Sequence, residues 1–167
     1  DWTKVDTTVT SNAAMAPDGT LTADLLLETA TTANHTVGHA PIAATNPRFG
    51  LLVKDAGCGF VAYGSATIGA LMVDLSDGST ASHTGSTYGV APSDISVTSI
   101  ADDWWLIEFS LLAALTGDAP YVYTMNDLVW ANRSYAGDAS NGIYIWGAHA
   151  YRNDQGGMAT VPTSDRA

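Results

Sequence analysis

Ile143-Tyr144-Ile145-Trp146-Gly147-Ala148 is the stretch on which the fold turns. It follows Gly137-Asp138-Ala139-Ser140-Asn141-Gly142, a run of turn formers that ends any preceding element and lets a strand begin. β-Branched and aromatic residues then alternate, so Ile143 and Ile145 point one way and Tyr144 and Trp146 the other. The aliphatic face suits a core. The aromatic face carries two flat rings with polar tips, which suits either a second packed layer or a sugar.

Outward from this strand the chain repeats the same grammar. Residues 1–10 read as a first strand around Trp2, and Pro17-Asp18-Gly19-Thr20 as a turn. In the next segment Leu21, Ala23, Leu25 and Leu27 share a face, with Thr22, Asp24 and Glu28 opposite. Residues 29–46 read as irregular, with a short strand at 36–38. Strands at 48–54 and 60–65 flank the turn Asp55-Ala56-Gly57 as a hairpin. Another strand covers 69–75, a long loop 79–94, and a strand 95–100. In 104–111, Trp105, Ile107, Phe109 and Leu111 form one apolar face, and 111–115 fit a helical turn stopped by Gly117. A strand from 120 is expected to run towards 130. The sum is about nine short strands and no amphipathic helix, which means an all-β sandwich or barrel. One domain is expected over 1–152, followed by a polar linker or C-terminal arm at 153–167.

With 46 % apolar and 14 % charged residues in 167, the chain has enough material for a core and too little charge for disorder. Six Lys+Arg face seventeen Asp+Glu, a net charge of -11. That balance repels nucleic-acid phosphates and disfavours anionic membranes. No apolar run approaches the roughly 20 residues that span a bilayer. The first residues, Asp1-Trp2, fit a processed chain or a piece of a longer one, with neither an initiator Met nor a signal peptide. A single cysteine, Cys58 between Gly57 and Gly59, excludes an internal disulfide framework and reads as a small residue in a tight turn.

No nucleophile elbow, P-loop, HExxH or dinucleotide fingerprint occurs. Glu108 is one of only two glutamates and lies opposite Ile107 and Phe109 on its strand. Nothing marks it as half of a glycosidase pair. His35, His39, His83 and His149 are scattered, and Asn34-His35-Thr36 and Asn132-Arg133-Ser134 fit the glycosylation pattern only as chance tripeptides would. Turn aspartates offer oxygen ligands, and Asp18 and Asp24 are the candidates for Ca2+, although no EF-hand spacing supports them. The aromatics carry the stronger signal: five Trp and seven Tyr against three Phe. Trp and Tyr combine a flat apolar face with a hydrogen-bonding edge, which matches the C–H faces and hydroxyl rims of sugars. The candidate glycan-binding residues are Trp130, Asn132, Arg133 and Tyr135 in one loop, with Tyr144 and Trp146 beside it.

Several of these segments also carry a resemblance. Residues 16–24 followed by a Thr-rich stretch with His35, the step Val53-Lys54-Asp55-Ala56-Gly57, the turn Asp74-Leu75-Ser76-Asp77-Gly78, the strand start Asp103-Trp104-Trp105 and the closing run from Gly142 to Ala148 occur in that order. Together they resemble the jelly-roll domain of phage head-fibre, head-spike and tail-fibre proteins, which is similar in fold to carbohydrate-binding modules. The chain departs from that pattern at His149, where the family has Gln, and over residues 41–47, where it usually has a Thr/Val-rich strand. The resemblance implies a jelly-roll β-sandwich of two antiparallel sheets. It further implies a non-catalytic adhesion module on a virion surface that engages cell-surface glycans, with other virion or fibre proteins and identical copies as partners. Two other readings use the same fold: a structural decoration domain without a sugar site, and a carbohydrate-binding module of a secreted polysaccharide-degrading enzyme.

Overall fold

The computed structural model describes residues 2–38 and 40–152. The expected polar arm at 153–167 and His39 lie outside the described residues. Among the described residues sixteen strands run in chain order: β1 (Thr3–Val5), β2 (Thr7–Met15), β3 (Leu21–Glu28), β4 (Thr32–Asn34), β5 (Thr36–Gly38), β6 (Ile42–Thr45), β7 (Pro47–Ala56), β8 (Phe60–Ser65), β9 (Gly69–Asp74), β10 (Thr80–His83), β11 (Ser93–Ser99), β12 (Trp104–Ser110), β13 (Ala114–Asp118), β14 (Tyr121–Met125), β15 (Ser134–Ala136) and β16 (Gly142–Arg152). Two short 3-10 turns, Ala101–Asp103 and Trp130–Asn132, are the helical elements among the described residues.

Two six-stranded antiparallel sheets pack face to face as a β-sandwich, in the orders β1-β5-β14-β8-β9-β10 and β11-β12-β7-β16-β3-β2. The eight strands β3, β5, β7, β8, β9, β12, β14 and β16 pair in a nested way. The first of them pairs with the eighth, the second with the seventh, the third with the sixth and the fourth with the fifth.

The expectation of about nine strands is too low, and the discrepancy has a physical cause. Residues 29–46 hold three short strands, and 79–94 include β10, because backbone pairing there needs no apolar alternation. The segment 111–115 is not helical; Ala114–Asp118 pairs with β6. The strand from 120 ends at Met125, so 130 lies in a 3-10 turn instead. The pair flanking Asp55 is not a hairpin. Asp55 Oδ1 accepts the backbone N–H groups of Gly57 (3.0 Å) and Gly59 (2.8 Å), and this turn carries the chain from one sheet to the other.

Between the sheets Ile143 (0 % exposed) and Ile145 (4 %) join Phe49, Tyr63, Ile107 and Phe109 in the main core, as the alternation requires. Phe49 stacks on Phe109 at 5.1 Å, and Tyr63 meets both rings edge-on. Trp105 packs against the same core and donates its indole N–H to the Leu75 carbonyl (2.9 Å). In β3 the interior takes Leu26 and Glu28, not Leu25 and Leu27. Each outer face carries its own smaller apolar cluster. Ala62, Met72, Tyr123 and Met125 lie on one sheet, and Ala23, Leu52 and Trp104 on the other. The abundance of Asp and Asn has a backbone use too. Among the described residues all six non-glycine residues with left-handed φ are Asp or Asn: Asp6, Asn12, Asn46, Asp94, Asp102 and Asp103.

Candidate functional site

The six candidate glycan residues do not form one surface. Trp130 packs on the cluster of Tyr123 and Met125, outside the first sheet. Tyr144 and Trp146 pack on Leu52 and Trp104, outside the second. The sandwich therefore separates residues that lie close in sequence, because Tyr144 and Trp146 point outward on one sheet while the loop before them crosses to the other.

The loop residues are engaged with their own neighbours. Trp130 stacks on His83 (4.7 Å between centroids, 13°), meets Tyr123 edge-on, and has the Arg133 guanidinium 5.0 Å from its ring centroid. Arg133 also donates to the Trp130 carbonyl (3.1 Å). Asn132 donates to Asp127 Oδ2 (2.6 Å), whose other oxygen accepts the Val129 N–H, so the pair shapes the turn. Tyr135 turns inward. Its hydroxyl bonds Glu28 and lies 2.9 Å from Thr124 Oγ1, while the second Glu28 oxygen accepts the Asp138 N–H at 2.9 Å. Burial, and then the bond to Glu28, push the Tyr135 phenol well above its ordinary range. His35 completes this region, fully buried with Nδ1 2.7 Å from the Asp6 carbonyl and its ring edge-on to Tyr135.

Glu108 and the Cys58 thiol are likewise occupied. Glu108 (8 % exposed) pairs with Arg48 at 3.5 Å. Cys58 Sγ lies 3.0 Å and 3.1 Å from the carbonyl oxygens of Phe60 and Met125, and burial pushes the thiol up to about 12. It is a packed, protonated residue, as its glycine neighbours implied. Asp18 Oδ1 accepts the backbone and hydroxyl of Thr20 (2.9 and 2.6 Å), while Asp24 Oδ1 accepts the Asn12 N–H (3.0 Å). The two proposed calcium ligands thus organise different turns, and among the described residues no group of three or more His, Cys, Asp or Glu could hold a metal ion.

One open groove, about 230 Å³, does combine aromatic and polar groups: Trp2, Thr22, Asp24, Ile145, Trp146, Gly147 and Ala148 line it. Three interruptions of the sheet converge there. Pairing of β16 with β3 ends where Ile145 faces Asp24, so the two strands splay beyond that point. An extra residue in β16 between Trp146 and His149 forms a bulge, with Gly147 at φ +62° and its carbonyl accepting the His149 Nδ1–H (2.6 Å). On the other side, β2 carries two extra residues between Thr10 and Ala14, with Asn12 in the left-handed region and its N–H held by Asp24. Bulges concentrate beside binding sites because they re-aim side chains. Across the splay Trp146 Nε1–H donates to Thr22 Oγ1 (3.1 Å). Of the sequence candidates, Trp146 and Asp24 belong to this groove. Trp2 and Thr22 were missed as site residues, although Gly147 inside a strand pattern is a bulge signal that pointed here.

Comparison with protein-family models and with curated proteins finds no match to this chain.

Proposed function

We propose that this chain is a non-catalytic glycan-binding module of jelly-roll topology, and that its sugar site is the groove between Trp2 and Trp146. The nested pairing of eight strands supports the topology, since rolling one long hairpin into a sandwich produces that order. The convergence of two tryptophans, a carboxylate and a hydroxyl on an open splay in the sheet carries the binding reading. Indole faces stack on sugar C–H surfaces, while Asp24 offers an oxygen to hydroxyl rims. A shallow groove gives weak individual binding, and display in many copies on a phage or phage-like particle would supply avidity. The particle itself rests on the sequence resemblance.

One observation favours a second reading, a structural decoration domain of a virion. Trp130, Tyr135 and Tyr144 do not share a surface, and Trp130 and Tyr135 are each held by their own neighbours. A glycan array with the domain presented multivalently, with calcium and with chelator, separates the two. Selective binding that Trp146→Ala abolishes while the fold stays intact supports adhesion. Binding that survives this substitution moves the sugar site away from the groove, and no binding at all shifts the assignment to the decoration domain. Loss of binding in chelator would show that a calcium ion contributes to binding.

A further inference from the structure

We infer that the groove prefers a glycan unit bearing a protonated amine over neutral or acidic units; this rests on the groove being the sugar site. Among the described residues Asp24 is the only ionisable side chain lining it. Its Oδ1 takes the Asn12 N–H, and its Oδ2 has no partner among the described residues. A carboxylate with one oxygen fixed by the backbone and the other directed to no protein donor is a ready acceptor for an ammonium group. Trp2 and Trp146 line the same small space, and indole attracts cations as well as stacking on sugar faces. Among the described residues no Lys or Arg lines the groove, so none of them compensates an acidic sugar. The field of the whole chain acts in the same direction, since a net charge of -11 concentrates cations and depletes anions at its clefts.

Thr22 orients the Trp146 ring. Its hydroxyl oxygen already accepts the Trp146 indole N–H, and it lies 2.6 Å from Thr20 Oγ1. Thr22 is therefore engaged with the protein, and Asp24 Oδ2 is the stronger anchor left for a ligand. An N-acetylated amine loses the charge and adds bulk, and a uronic acid would place a second carboxylate beside Asp24.

The test uses the full chain and four soluble oligosaccharides of equal length, followed by intrinsic tryptophan fluorescence and calorimetry at about pH 5.5, where a carboxylate is ionised and an amine protonated. The oligomers are of glucosamine, N-acetylglucosamine, glucose and a uronic acid. The expected result is that the glucosamine oligomer binds about tenfold or more tighter than the neutral ones and that the uronate binds weakest. Asp24→Asn should lower the affinity for the glucosamine oligomer about tenfold more than that for the neutral ones, and Trp146→Ala should remove binding of all four. Equal affinity for neutral and amine oligomers, lost in Trp146→Ala, overturns the amine preference and leaves the sugar site standing. An amine preference unchanged in Asp24→Asn also overturns it, because diffuse attraction to an acidic protein then explains the result. If no oligomer binds in a Trp146-dependent way, the sugar site itself fails and this inference with it.

Discussion

Trp146 donates its indole N–H to Thr22 Oγ1 at 3.1 Å across the point where β16 and β3 have ceased to pair. The bond substitutes for the lost ladder and fixes the ring at the rim of the groove. Thr22→Val removes the acceptor but keeps the β-branched shape. The exposed site limits the stability loss to about 1 kcal/mol. The ring is then free to sample other rotamers, so ligand affinity should fall about three- to tenfold through lost pre-organisation. Urea unfolding and a binding titration measure the two effects; an affinity unchanged by Thr22→Val would mean that the bond does not position the ring.

Tyr135 illustrates the opposite case, an aromatic residue that looks like a ligand contact and serves the interior. Its hydroxyl joins Glu28, which is 3 % exposed, to Thr124, which is fully buried. Tyr135→Phe leaves a buried carboxylate oxygen and a buried hydroxyl short of a partner. The expected loss of stability is about 1–3 kcal/mol, with glycan binding by the folded fraction unchanged. Chemical denaturation beside a binding assay distinguishes this from a direct sugar contact, which would lower affinity with little effect on the midpoint.

The same pair shows where the sequence was legible and where it was not. Alternation placed Ile143 and Ile145 in the core and Tyr144 and Trp146 outside it, since a side-chain period of two is a local property. The β3 face was harder. Leu25 and Leu27 look like interior residues beside Glu28, yet Glu28 is the one buried, because a tyrosine 107 positions away supplies its proton donor. Long-range partners of that kind leave no mark on local hydropathy. The groove was half legible for a related reason. Trp146 and Asp24 stood out by residue type, but only the splay of β3 from β16 brings Trp2 and Thr22 alongside them.

His83 stacks on Trp130 and contacts the Ala66 carbonyl at 3.4 Å. Burial holds this imidazole below its ordinary range. The Ala66 carbonyl opposes that effect, and the positive charge of Arg133 adds to it. The fold thus favours neutral His83, and the unfolded chain takes up the proton first as pH falls. The contribution to stability is full above about pH 6.5 and is lost as pH drops through the folded-state value. Protonation also places a quenching imidazolium against the Trp130 ring. Tryptophan emission should fall with a midpoint below about pH 6.5, the transition should vanish in His83→Gln, and Arg133→Ala should move it upward. A midpoint that does not respond to Arg133→Ala would remove the electrostatic part of this account.

Two glycines of β16 should respond differently to alanine because they are needed for different reasons. At Gly142 a Cβ would lie 2.0 Å from the Leu26 carbonyl oxygen and 2.9 Å from Leu27 Cδ2, so the strand cannot approach β3 without displacing backbone. At Gly147 a Cβ would meet nothing closer than Leu52 Cδ1 at 3.7 Å, and the obstacle is the left-handed φ of +62°. Gly147→Ala then costs about 1–2 kcal/mol of backbone strain. Gly142→Ala breaks the packing of the strand that joins β7 to β3 inside the second sheet and should cost more than about 3 kcal/mol, or prevent folding. Because Gly147 forms the bulge beside Trp146, its alanine variant should also weaken ligand binding while the fold persists. Thermal unfolding of both variants with a binding titration of Gly147→Ala tests the pair. Equal destabilisation would show that close approach to β3 is not what Gly142 provides, and undiminished binding by Gly147→Ala would separate the bulge from the groove.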